Sequence, residues 1–374
     1  MFRFLYPPLR VEVPVKVKTL KRNAKDTYKS GQMKFYLMKY TFSILLTLIL
    51  FQLVFFLSAI GQPRLETMTL KLQLVPYLGA GPIFIGEEEG FFREQAIRIE
   101  YIQMVRSADG IPALTQSKLD ILYGSMSPAY LNAMARGAKI KFVVGNAYLS
   151  PTGCPYNALL ARRILVEEGK LRTPTQLRGR KINVYPVSIQ AYALEKLLNT
   201  VGLSLDDIEI TDIPNPVMPE ALEKGTIDLA VGTEPWITRT VEAGHAVIWI
   251  PTQQVIPNAQ FTSVLYGPNL LEKNPEVGKR FMVAYLKGVR QYNHGKTERN
   301  LEIMTKHTGF DRELLKKACW PSIRNDGKIH IESTLDFQSW AVKKRYLEKV
   351  VTPDQFWDSR FVEFANKVLG GSTK

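Results

Sequence analysis

Residues 233–236 read Thr233-Glu234-Pro235-Trp236, directly after an apolar run at 227–231 of the kind buried inside a sheet. A carboxylate there accepts from an amine or ring N–H of a ligand, or caps the helix that Trp236 begins. An indole there stacks on a planar or apolar ligand, or packs between two parts of the protein. Hydroxyl and aromatic side chains recur at comparable places. Tyr77, Ser125, Ser127, Tyr148 and Ser188 each lie just past an apolar run. Such a set grips a small molecule by shape and a few hydrogen bonds. Ser125, Ser127 and Ser188 also read as helix caps.

Residue patterns that carry reactions are not found. Gly79-Ala80-Gly81 follows a strand-like run, but Phe84 stands where a dinucleotide fingerprint needs its third glycine, and Pro82 removes an amide. The chain has no Gly-Lys-Ser phosphate loop, no nucleophile elbow, no His-Glu-x-x-His and no Cys-x-x-Cys. No catalytic residue, metal or cofactor is therefore expected, and the chain is read as a non-enzyme. His245, His294, His307 and His330 are scattered. Cys154 and Cys319 form either one disulfide or two free thiols, which spacing does not decide. Asp206 and Asp207 follow Ser204 as the acidic first turn of a helix.

The elements that must position these residues alternate. Strands are expected at 67–75, 97–104, 119–123, 140–144, 180–185, 208–212, 227–231 and 246–250, with helices of about ten residues between them. That order means mainly parallel sheets flanked by helices, in two α/β blocks. From about residue 275 the chain turns helical, over 277–292, 299–307, 312–317, 335–344 and 352–365. In open α/β sheets ligands bind beyond the carboxyl ends of strands. The loops so placed are 77–82, 124–127, 146–150, 186–190 and 233–236, and their candidates are Tyr77, Leu78, Gly79, Pro82, Ser125, Met126, Ser127, Tyr148, Pro186, Val187, Ser188, Thr233, Glu234 and Trp236.

The formal charge of +14 is uneven, for residues 1–40 hold ten Lys or Arg against two acids. The body is only mildly basic and has no basic stripe interleaved with aromatics, so nucleic-acid binding is not expected. Residues 41–60 are uncharged and apolar on every face, follow Lys34 and Lys39, and lead to Ala59-Ile60-Gly61. This is the layout of a secretory signal peptide, in a run as long as a membrane span. The segment 41–61 is read as a signal peptide or membrane anchor behind a basic leader, 1–40, whose true start would be Met33 or Met38. The body is then extracytoplasmic, with no other membrane contact.

The stretches GPIFIGEEEGFFREQAIRIEY, ALTQSKLDILYGSMSPAYLNAMARGAKIKFV, LRGRKINVYPVSIQAYALEKLL and ALEKGTIDLAVGTEPW share order and spacing with a known group. Across residues 67–290 the chain resembles type II periplasmic solute-binding proteins of ABC importers, in the branch of sulfonate, taurine, nitrate and thiamine-precursor binders. The resemblance implies two α/β lobes, 67–157 with 261–374 and 158–260, joined by strand crossovers near 156–161 and 257–266. It implies a monomer that closes on a small organic solute and delivers it to an ABC permease. Thr233, Glu234 and Trp236 would then sit at the cleft rim, and Arg106 is the basic residue nearest to it. Two alternatives remain: a membrane-anchored sensor of the same ligand, and an enzyme of pyrimidine or cofactor synthesis on this scaffold. The cysteine-rich motif of the pyrimidine-forming relatives is absent.

Overall fold

The computed structural model describes residues 38–39, 66–104 and 107–370. The apolar segment 41–61, Arg106 and the leader apart from Met38 and Lys39 lie outside the described residues.

The first sheet holds β1 (Met68–Leu74), β2 (Ile97–Gln103), β3 (Ile121–Ser125) and β4 (Lys141–Gly145). A short β5 (Ala147–Tyr148) follows, and the second sheet holds β6 (Asn157–Arg162), β7 (Lys181–Asn183), β8 (Glu209–Thr211), β9 (Leu229–Thr233) and β10 (Ala246–Pro251). The chain then returns as β11 (Thr262–Tyr266) to the first sheet, whose order is β2-β1-β3-β11-β4, while the second runs β10-β6-β9-β7-β8. In each sheet four strands point one way and one opposes them. The opposing strands are β6 and β11, each the first strand after the chain changes sheet. Both are buried along almost their whole length, as interior strands covered by helices must be.

The passages between the sheets occupy residues 149–156 and 252–261, just before the positions expected. They lie side by side. Leu149 N donates to Ala259 O at 3.0 Å and Asn258 N to Leu149 O at 2.8 Å. Buried amides do the rest. Gln260, 2% exposed, donates from Nε2 to Ala147 O and Thr262 O, and Asn146 accepts from Thr262 Oγ1 and donates to Tyr285 Oη. Unpaired, such groups would each cost about 1–3 kcal/mol.

The helical part begins with Pro275–Tyr292, which lies against Gly81–Glu88. Gly288 permits the approach, because a Cβ there would stand 2.2 Å from Pro82 O. Glu298–Thr308, Arg312–Lys317 and Ile331–Lys343 follow. The helix expected over 352–365 is split into Pro353–Phe356 and Arg360–Gly370, since Trp357 is extended and bridges Phe142 of β4. Between these helices β12 (Ser322–Ile323) pairs antiparallel with β5.

Cys154 and Cys319 are joined as a disulfide, which settles the alternative left by their spacing. It pins the first passage to the helical part across a separation of 165 residues. Closing so long a loop restricts the unfolded chain, which stabilises the fold by roughly 3–5 kcal/mol. Reduction, or the double change Cys154→Ser with Cys319→Ser, is expected to lower Tm by roughly 5 °C or more. Equal melting of oxidised and reduced protein, with two thiols titrating in the untreated chain, would exclude the bond.

Candidate functional site

The carboxyl ends of β1, β3, β7, β8 and β9 open on one cavity of about 290 Å³. That is the lower end of the range for small-molecule pockets. The first sheet contributes Tyr77 beyond β1, Tyr123 and Ser125 of β3, and then Met126 and Ser127. The second contributes Tyr185, Val187 and Ser188 beyond β7, Asp212 to Asn215 beyond β8, and Thr233 at the end of β9. Tyr156 and Phe261, at the ends of the two passages, and Thr262, the first residue of β11, also line the cavity. Walls from both sheets and the connections between them thus enclose a single space.

Local structure explains why the residues sit there. Ser127 is extended and caps Pro128–Ala135, its Oγ accepting from Ala129 N at 3.3 Å. Ser188 caps Ile189–Asn199, accepting from Ala191 N and donating to Tyr185 O. Capping and cavity lining are therefore the same placement: a helix that starts at a strand end turns its cap toward the space beyond the sheet.

Thr233 is 5% exposed, and its Oγ1 accepts from Asn157 Nδ2 at 2.9 Å and from Gln190 Nε2 at 3.2 Å. Both lone pairs are taken, so its proton is what it can offer a ligand. Burial pushes the Tyr123 and Tyr156 hydroxyls well above the usual phenol range, so both stay protonated donors. Among the described lining residues Asp212 is the one carboxylic side chain, and no lysine, arginine or histidine is among them.

Of the residues expected from sequence, Tyr77, Ser125, Met126, Ser127, Val187, Ser188 and Thr233 line the cavity. Seven others do not. Leu78 and Gly79 are buried in the turn behind the wall, where a Cβ on Gly79 would stand 2.3 Å from Tyr123 Oη. Pro82 starts the helix Gly81–Glu88 and is buried. Tyr148 sits in β5 with its ring 4.8 Å from His330, and Pro186 lies outside the lining between two residues that belong to it.

Glu234 and Trp236 are the larger corrections. Glu234 is 3% exposed, and its carboxylate accepts from Thr238 N at 3.0 Å, Thr238 Oγ1 at 2.9 Å and Cys319 N at 3.1 Å. It satisfies a first-turn amide of the helix Trp236–Glu242, whose N-cap is Pro235, and holds the helical part by one bond. Trp236 packs edge-on against Phe310 at 5.6 Å beneath the Arg239 guanidinium. The strand end explains this: β9 runs two residues further than expected, to Thr233 rather than Val231, so Thr233 meets the cavity and Glu234, beyond the strand, turns away.

Sequence reasoning missed Asp212, Asn215, Gln190, Asn183, Tyr123, Tyr156, Ser107 and Thr262. Asp212 ends an expected strand and Asn215 lies just beyond it, and the strand-end rule applied there would have found them. Tyr123 lies inside an expected strand, Tyr156 ends the first passage and Thr262 begins β11 just after the second, where no local pattern signals a wall.

A model of the NMT1/THI5-like family matches residues 79–294. The bicarbonate-binding protein CmpA of Synechococcus elongatus is 26% identical over 207 residues, covering 49% of this chain and 44% of CmpA. Among solved structures, the periplasmic nitrate-binding protein NrtA of Synechocystis superposes with a TM-score of 0.66 at 13% identity, over 81% of this chain and 89% of NrtA. The periplasmic aliphatic sulphonate-binding protein SsuA of Escherichia coli gives 0.62 at 16% identity, over 79% and 93%. The desulfurization enzyme DszB gives 0.58 at 14%, over 80% and 99%. At such identities the structures share the two-lobed α/β fold of periplasmic binding proteins with this chain, and nothing finer.

Burial pushes the Glu234 carboxyl above its ordinary range, although the bonds from Thr238 and Cys319 pull it down. A raised folded-state pKa means that folding favours the protonated form. That contribution is present below the unfolded value and lost as pH rises through the folded one. Glu234→Gln keeps an acceptor and cannot ionise. Wild type is expected to lose stability relative to this variant as pH rises from the ordinary glutamate value, 4.5, through the raised one. Melting curves of both proteins across that interval check it, and parallel curves would contradict it.

Proposed function

The chain belongs to the NMT1/THI5-like family, and we propose that it is the extracytoplasmic solute-binding receptor of an ABC importer. Its lobes would close on a small organic solute and present it to a permease in the membrane. The observation that carries this reading is the cavity itself: it is walled by both sheets and by the two adjacent passages that connect them. A ligand there bridges the lobes, and bridging stabilises the closed arrangement without any chemical step. The names of CmpA, NrtA and SsuA, each a binding protein, support the same reading. The disulfide fits an oxidising compartment outside the cytoplasm. Export or tethering through residues 41–61, and a monomeric state, belong to this proposal.

The described lining is rich in hydroxyls, amides and tyrosine rings. It suits a solute that is partly planar or apolar and carries hydrogen-bond acceptors for Thr233 and the tyrosines. The DszB fold keeps an enzymatic reading in view, and the fate of the ligand separates the two. A receptor releases its solute unchanged, whereas an enzyme releases a product.

A thermal-shift panel of sulfonates, nitrate, bicarbonate, pyrimidines, flavins, polyamines and aromatic acids is expected to give a hit. Ligand at about 100 times Kd adds about 2.7 kcal/mol, a rise of several degrees in Tm. Ser125→Ala and Gln190→Ala are each expected to weaken that compound about tenfold in titration calorimetry. Conversion of the bound compound, or indifference of its affinity to both changes, would sink the receptor reading.

A further inference from the structure

We infer that the helix Ile331–Lys343 is a strap between the lobes, and that its hold on Ile189–Asn199 sets ligand affinity from outside the cleft. The inference rests on the receptor reading for its link to affinity, while its mechanical part stands on contacts alone.

Both ends of the strap are fixed to the first lobe and the passages. At its start His330 N donates to Gln260 Oε1 at 3.1 Å, and Ser333 Oγ accepts from Gln260 N at 3.0 Å. Gln260 belongs to the second passage. Beyond its end, Tyr346 O accepts from Asn132 Nδ2 at 2.7 Å and Glu348 N donates to Asn132 Oδ1 at 3.1 Å. Asn132 lies on Pro128–Ala135, the helix capped by the cavity residue Ser127.

The middle of the strap grips the second lobe. Tyr192 Oη donates to Asp336, and Lys196 Nζ lies 3.2 Å from the same carboxylate. Trp340 Nε1 donates to Glu195, which Lys344 Nζ meets at 2.6 Å. The Tyr192 ring lies 5.5 Å from Trp340 and 5.8 Å from Phe337. All three gripped residues are on Ile189–Asn199, the helix capped by the cavity residue Ser188.

The grip is not an incidental surface contact. The exposed pair Lys196 and Asp336 contributes little by itself. Glu195, however, is 6% exposed, and its charge is buried against two partners that both come from the strap segment. Pulling them away leaves a buried carboxylate unpaired, which is strongly unfavourable. An open groove of about 520 Å³ runs between Tyr192 and Lys196, the passage residues Val255 to Ala259, and His330 and Asp336. It leaves room for the strap to shift relative to the passages. The two helices whose caps face the ligand are thus held by one segment, 330–348. Any swing of the second lobe about the passages must carry that segment along or break its bonds.

The test uses the full chain with Asp336→Ala, a change at an exposed site, and Trp340→Phe, which keeps a ring and removes the indole donor. Neither residue lines the cavity. Hydrogen exchange is followed by mass spectrometry without ligand. Both variants are expected to speed exchange about tenfold in 188–199 and 128–135, at the two cleft edges, and to leave β9 protected. Exchange altered within 331–343 alone, in the variant that folds, would overturn the strap. The affinity arm uses the compound from the panel above that binds wild type. Its Kd is expected to rise about tenfold in both variants, and an unchanged Kd would overturn the control of affinity. If no compound of the panel binds wild type, it is the receptor reading that fails, and exchange at the cleft edges still decides whether the strap couples the lobes.

Discussion

Two lengths of chain must cross between the sheets through the interior of the molecule, and every peptide group they carry must find a partner there. The structure meets this constraint by laying the passages against each other and lining the seam with amide side chains. Asn146 and Gln260 serve one end, where β4 gives way to the first passage and the second passage enters β11. Asn157 serves the other, donating to Gly232 O and Thr233 and accepting from Thr252 Oγ1. These side chains are buried because they replace the hydrogen bonds a sheet would have supplied. Once the seam is placed, the strand ends of both sheets face the same volume, and the cavity follows from topology.

The cavity draws its polarity from the same sources. Ser127 and Ser188 cap helices as they face it, Thr233 is held by two donors, and the tyrosine hydroxyls are kept protonated by burial. Little of the lining has to be ordered when a ligand arrives, because the framework already fixes it. Preorganisation of that kind reduces the entropic cost of binding.

Much of this was legible in the sequence, and the rest was hidden for identifiable reasons. The alternation of strands and helices showed the α/β layers, because parallel strands buried on both faces read as short apolar runs. Ser125, Ser127 and Ser188, hydroxyls just past such runs, line the cavity. Thr233, Glu234 and Trp236 divided on strand length: a two-residue extension of β9 sends Thr233 to the cavity and Glu234 and Trp236 into packing with the helical part. Gly79 and Pro82 resembled a binding loop, yet Gly79 leaves room for the Tyr123 hydroxyl and Pro82 belongs to the first turn of the helix Gly81–Glu88. Tyr156 and the pairing of Cys154 with Cys319 depend on segments far apart in sequence, and no local periodicity reports them.

The bond from Cys154 to Cys319 also changes how the molecule is connected. It closes the chain into a ring that contains the whole second sheet, since β6 through β10 all lie between the two cysteines. A protease that cuts one loop of the second lobe opens the ring and leaves a single covalent molecule. The sulfur bridge thus keeps the second sheet covalently tied to the helical part even after a single cut.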